Sequence, residues 1–440
     1  MSSLHTEGKY IKDANGNIVS LRGCAVIEPS YNIDKLRHNH TVEQRAARLK
    51  ELGVNFVRLQ VNKPDWDANT DTNGDGIGNR DFILQMAEAL SNAGIMFITG
   101  PMAASSEPWA KEDWANWIID NMVTPFQHMP NFVGVFILNE PHTEQWGGTD
   151  LGQGVMSGYW EAAKYVCQRI YDVNPNLLKI VHATSWAYWG FSDVLKIDPI
   201  AVPNTVYTWH YYYCYAAQFD PYMGFMTGVL DPDYEYLKQK GMPFYQSYYL
   251  KNYAQAKAQF EQYLHNRWLW ATDLNLSVIN DEFGFNGDEE SYFYWRACPV
   301  CLARNNGVTQ REITFWHVAD TLDAPGGNPV GDGPYPNVTY CPICGEPLPR
   351  PREHTEPGWP QCMRDFIEIM NKYNCSWSDF AWWVKTYSGY GLAEDDTTTL
   401  SKIGQVWAPY LTPLAPPKPS IIPLLAIVGL FLLAKKAKIL

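Results

Sequence analysis

Val133-Gly134-Val135-Phe136-Ile137-Leu138-Asn139-Glu140-Pro141 and Leu276-Ser277-Val278-Ile279-Asn280-Asp281-Glu282-Phe283-Gly284 are the stretches on which the reading of this chain turns. Each opens as a short apolar run bounded by turn residues, the pattern of a strand buried on both faces in a parallel sheet. Each then reaches a glutamate, although an ionised side chain is costly next to a buried run. Acids at two matching strand ends place two carboxylates on the same rim of one sheet.

Outward from these runs, strand and helix signals alternate along the chain. Strands are predicted at Ile18 to Val26, Asn55 to Val61, Ile95 to Pro101, Val133 to Leu138, Lys179 to Ser185, Thr205 to Tyr212, Leu276 to Phe283 and Ser378 to Val384. Helices are predicted between them, and a last one at Ser401 to Leu411. This alternation predicts a (β/α)8 TIM barrel. In that fold chemistry gathers at the C-terminal ends of the strands, where Glu140 and Glu282 fall. The stretch from Glu282 to Trp383 is far longer than the ~30 residues of a plain βα unit, so an insertion follows strand seven.

The chain has 440 residues and a formal net charge of −13, which argues against nucleic acid as a partner. Its 18 Trp and 27 Tyr are unusually many; core and surface positions account for most of them, and a minority of the flat rings is expected to stack on the apolar face of a sugar. Two carboxyls across a cleft can hydrolyse a glycosidic bond, one protonated as acid and one charged as nucleophile or base. Their surroundings must then push their pKa values apart. Glu140 is read as the acid/base, with the amide of Asn139 beside it for a sugar hydroxyl, and Glu282 as the nucleophile.

Six motifs in order carry a family resemblance. The run Glu7 to Asp13 through Leu21-Arg22-Gly23 resembles the opening of glycoside hydrolase family 5 catalytic domains. Asn55-Phe56-Val57-Arg58 resembles the second strand, and Leu138-Asn139-Glu140-Pro141 is similar to the fourth-strand acid/base motif. His210-Tyr211-Tyr212 resembles the sixth-strand His-x-Tyr, Glu282-Phe283-Gly284 the nucleophile motif, and Trp382-Trp383 the eighth-strand tryptophan. The resemblance implies a retaining β-glycosidase of (β/α)8 fold, with a polysaccharide, β-glucan or β-mannan, as substrate. It implies that Arg58 lies near Glu282, that Tyr212 bonds Glu282, that His210 holds a substrate hydroxyl and that Trp383 floors the sugar site. Endo-cleavage of β-1,4-glucan is the expected activity, with a β-mannanase or a non-catalytic carbohydrate-binding surface protein as alternatives. The third strand departs from the family: Ile98-Thr99-Gly100-Pro101-Met102 stands where an Asp-x-His is frequent. Gly23-Cys24-Ala25 likewise replaces a common Gly-x-Asn, so substrate contacts are expected to differ.

Cys298-Pro299-Val300-Cys301 and Cys341-Pro342-Ile343-Cys344 are two tight thiolate turns that together complete a closed four-cysteine zinc site. A structural zinc there would staple a small inserted ribbon. Cys24, Cys167 and Cys214 read as buried thiols; Cys362 and Cys375 flank one helix, where a bridge is open. Asp71, Asn73 and Asp75 alternate ahead of Gly76 as in calcium-binding loops; a polar turn with a helix cap is the competing reading. Pro416, Pro417 and Pro419 precede an apolar run from Ile421 to Ala434 and then Lys435, Lys436 and Lys438. That pattern reads as a tethered membrane tail with its Lys end cytoplasmic and the remainder extracellular or at the cell surface. Met1 to Asn17 carries no apolar signal core, so the route of export is not readable. The expected layout is a catalytic domain at 1–411, a ribbon inserted at 298–360, a linker at 412–420 and a tail at 421–440.

Overall fold

The computed structural model describes residues 4–27, 41–71, 76–102, 108–187, 190–212, 253–285, 296–297, 314–315, 358–382, 392–393 and 399–411. Its centre is a closed parallel barrel of eight strands. In chain order these are β1 (Arg22–Val26), β2 (Phe56–Val61), β3 (Met96–Pro101), β4 (Phe132–Phe136), β5 (Leu178–His182), β6 (Thr205–Tyr212), β7 (Val278–Gly284) and β8 (Ser376–Asp379). Each pairs with the next, and β8 returns to β1 through Trp377–Arg22 and Asp379–Cys24. The (β/α)8 architecture expected from the sequence is therefore present. β6 has the expected limits, whereas β8 ends at Asp379, so Trp382 follows the strand instead of lying within it.

Two cores hold the barrel. Inside its lower half, Phe56, Ile98, Val133, Phe136, Leu178, Ile180, Val206 and Ile279 pack together, and Leu4 and Ile11 join them from below. Ile11 belongs to a hairpin of His5–Glu7 and Tyr10–Lys12 that seals the bottom, and Leu4 immediately precedes it. The Ser277 hydroxyl donates to the Gly8 carbonyl at 2.8 Å, and Lys9 N donates to Asn275 at 3.2 Å. The larger core lies between strands and helices, where residues of the helices Lys111–Ile118, Ser157–Val173 and Gly358–Lys372 pack on the outward strand faces. Alternation along β6 shows the division: Trp209 stacks on Trp268 outside, 4.2 Å between centroids, while Thr208, His210 and Tyr212 turn inward.

Close backbone approach explains two glycines. A Cβ at Gly23 would lie 1.7 Å from the Phe56 carbonyl, and one at Gly100 would lie 2.2 Å from the Phe136 carbonyl. Cys24, Cys167, Cys362 and Cys375 are buried thiols, and the bridge left open for Cys362 and Cys375 does not form. Cys214 lies outside the described residues. Among the described residues no helix is long and apolar enough to cross a membrane; the tail at 421–440 lies outside them, as do the four cysteines assigned to zinc.

Candidate active site

The upper rim of the barrel gathers the polar residues. Above the apolar floor, the Arg58 guanidinium sits over the Phe136 ring, 4.2 Å from its centroid, with no solvent exposure. One Nη1 donates to Glu282 Oε2 at 2.5 Å and to Gln60 at 2.6 Å. Nη2 donates to the Asn139 carbonyl oxygen, and Nε pairs with Asp281 at 3.0 Å. Asn139 thus spends its side-chain oxygen on Arg58, and its backbone N–H donates to Pro101 at 2.9 Å.

Glu140 follows β4 in the left-handed region, φ 42°, where a non-glycine residue costs about 1–2 kcal/mol. Its side chain is 31% exposed, against 5% for Glu282. Oxygens of Glu140 and Glu282 and a nitrogen of His210 all lie within 4.8 Å of one another. The two acids that the sequence placed on one rim therefore face each other. Tyr212 donates its hydroxyl proton to Glu282 Oε1. Burial pushes the Glu282 carboxyl above its ordinary range and Glu140 adds to this; His210, Arg58 and the Tyr212 bond pull the other way.

His210 corrects one expectation. It is 1% exposed and both ring nitrogens are engaged: Nδ1 is 2.6 Å from Glu140 Oε1, and Nε2 is 3.2 Å from Asp281 Oδ1 and 3.1 Å from His182 Nε2. Both nitrogens are thus already bonded within the protein, and a substrate hydroxyl could reach either only by displacing one of these partners. Burial alone would lower its pKa, but Glu282, Asp281 and Glu140 raise it to about 10.

Asp281 and His182 were not singled out from the sequence. Strict alternation along β7 would turn Asp281 away from the face that Glu282 uses. A register irregularity intervenes: Thr208 pairs with Ile279 and His210 with Glu282, so β7 spends one residue more than β6. Such a bulge re-aims side chains, and both carboxylates reach Arg58. The only signal available was three polar residues in a row, Asn280-Asp281-Glu282, ending a buried run. His182 closes β5, with Nδ1 2.6 Å from the Leu138 carbonyl.

Aromatic side chains occupy two sides of the rim. Trp186, 44% exposed at φ 55°, stacks on His142 with centroids 3.7 Å apart, and its backbone N–H donates to the Pro141 carbonyl at 3.1 Å. It stands beside Glu140 and was also missed. Phe380, just after β8, meets the Tyr212 ring edge-on at 5.9 Å. Trp382 is buried in the outer core, 2% exposed, and Trp383 lies outside the described residues. Of the calcium candidates, Asp71 accepts from Gly76 N at 2.8 Å, while Asn73 and Asp75 lie outside the described residues. Asn69 caps the following helix, Asn79–Ala93, accepting from Arg80 N and Asp81 N, which is the polar-turn arrangement.

The sequence matches Cellulase (glycosyl hydrolase family 5) over residues 13–318, more than half of the chain. The chain belongs to glycosyl hydrolase family 5. A family 5 domain is thus a glycoside hydrolase on a TIM barrel, in agreement with the strand order above. Solved structures similar to this family 5 chain include a β-glucanase from Saccharophagus degradans, with TM-score 0.56, 15% identity, and 93% of each chain covered. Another is an endocellulase from the archaeon Pyrococcus horikoshii, with TM-score 0.52, 15% identity, and 93% of this chain and 98% of that one covered. At that identity the likeness is one of fold. No curated protein matches the sequence.

Proposed function

We propose that this family 5 glycoside hydrolase is a retaining endo-glycanase that cuts β-1,4-linked glucan by double displacement. The observation that carries the reading is the closeness of the two carboxylates, with oxygens within 4.8 Å. Retaining pairs stand about 5–5.5 Å apart, whereas inverting pairs leave room for a water at about 6.5–9.5 Å. Glu140, the more exposed acid, protonates the leaving oxygen while Glu282 attacks the anomeric carbon. A water activated by Glu140 then releases the glycosyl group. Arg58 and Tyr212 orient Glu282 and take up its charge as it leaves at the end of the cycle. Trp186, beside Glu140, supplies a stacking face for the sugar on the leaving side. A polysaccharide suits a rim with an exposed indole at one edge.

Glu282→Gln is expected to lose several orders of magnitude of kcat on a soluble β-glucan. Proton NMR of fresh product from the wild type should show the β-anomer first. Release of reducing ends from carboxymethylcellulose but not from mannan supports the glucan assignment; the reverse makes the enzyme a β-mannanase. Polymer retention with no product from either would leave a binding protein. The zinc ribbon, the calcium loop and the cell-surface tail are further proposals that rest on sequence alone. Elemental analysis of the purified chain, and membrane partitioning of a chain cut before Ile421, test them.

A further inference from the structure

The polar network behind Glu140 constrains where protons sit. The Leu138 carbonyl can only accept, so His182 Nδ1, 2.6 Å away, carries a hydrogen. His182 is fully buried and held neutral, its pKa pushed down to about 3 by burial, with His210 and Arg58 adding to the effect. Its Nε2 is therefore a bare acceptor. His210 Nε2 faces that acceptor at 3.1 Å and the Asp281 carboxylate at 3.2 Å, so it must be the donor. Asp281 is ionised: burial would raise its pKa, but Arg58 and His210 hold it well below the usual carboxylate range. Thr208 fixes it further, donating its hydroxyl to Asp281 Oδ1 and accepting from Asp281 N at 3.2 Å.

One nitrogen is left. His210 Nδ1 stands 2.6 Å from Glu140 Oε1, too close for two bare lone pairs. We propose that Asp281 and His182 are positioning residues that hold His210 as an imidazolium in one orientation. Its Nδ1–H then donates to Glu140 Oε1 through both halves of the reaction, leaving the other oxygen of Glu140 to carry the catalytic proton. The inference rests on the assignment of Glu140 as acid/base.

The charges that face His210 come from four strands: Arg58 from β2, Glu140 after β4, His182 from β5, and Asp281 and Glu282 from β7, with Tyr212 on its own strand. Arg58 and imidazolium balance Asp281 and Glu282, so Glu140 meets a strong donor without a large net charge. Without the Asp281 carboxylate, His210 would release its Nδ1 proton at lower pH. The free Nδ1 would then draw the Glu140 proton onto Oε1, away from the glycosidic oxygen.

Asp281→Asn is accordingly expected to move the alkaline limb of the kcat profile on soluble β-glucan to lower pH by about one unit or more. KM should change less than kcat. A uniform loss at every pH with both limbs unmoved would make Asp281 merely structural and overturn the proposal. A measurement on the wild type guards against a variant that does not fold. With histidine labelled at both ring nitrogens, one ring should stay doubly protonated above pH 8 and another should stay in the neutral Nδ1–H form below pH 5. Every ring titrating near 6.5 would overturn the proposal as well. A wild type that cleaves no β-glycan would remove the hydrolase reading, and the nitrogen spectra would still decide the protonation pattern.

Discussion

Arg58 is the residue on which the site's electrostatics converge, since it touches Glu282, Asp281, Asn139 and Gln60 at once. Its own pKa would be lowered by burial, but Asp281 and Glu282 raise it above the usual arginine value. It is a permanent cation. Removing it leaves the two buried carboxylates one cation short, a change that costs heavily in mutational series. Arg58→Ala is expected to lower kcat/KM by about 100-fold or more. The sign of the pH effect follows from the charge. Arg58 lowers the Glu282 pKa, so its loss raises that pKa further, and the acidic limb of the kcat/KM profile should shift towards neutrality. A limb that stays in place would show that Arg58 does not hold the nucleophile's charge. At this scale Arg58, Tyr212 and the two glutamates were legible because each belongs to a motif at a strand end. Asp281 and His182 were not, because their roles arise from pairings between strands far apart in sequence.

At the scale of elements, β7 and β8 illustrate where periodicity fails. A strand read as alternating faces sends Asp281 to the wrong side, and only the extra residue against β6 corrects it. β8 carries a different anomaly. Asp379 is fully buried at its end, neither carboxylate oxygen has a hydrogen-bond partner among the described residues, and burial raises its pKa well above the usual value. A group whose folded pKa is raised contributes stability that is present below its unfolded value, about 3.9, and is lost as pH rises through the folded value. Asp379→Asn should therefore flatten this loss and stabilise the protein at pH 7 by roughly 1–3 kcal/mol. Urea denaturation of both proteins at pH 5 and pH 8 checks it: the gap between them should widen at the higher pH. The predicted limits of β8 fell late because Trp382-Trp383-Val384 is as apolar as a strand, yet the strand ends at Asp379 and Trp382 fills the outer core.

For the whole molecule, the alternation of apolar runs and helices sufficed to predict the closed barrel, since each run is buried on both faces and each helix covers one interval. The hairpin beneath it was not predicted as a plug, because a short run such as His5–Glu7 carries no long-range signal of what it covers. Ile11, 5% exposed, reaches into the inner core from that hairpin. Ile11→Ala is expected to cost about 2–5 kcal/mol of unfolding free energy, read by denaturant titration, and to leave KM for a soluble β-glucan unchanged. A change in KM would mean that the lower half of the barrel communicates with the rim. The plug also has a practical side. Because the start of the chain is stitched across the face remote from Glu140 and Glu282, a solid support or fusion partner joined ahead of Leu4 would leave the working mouth pointing outward, open to long polymers.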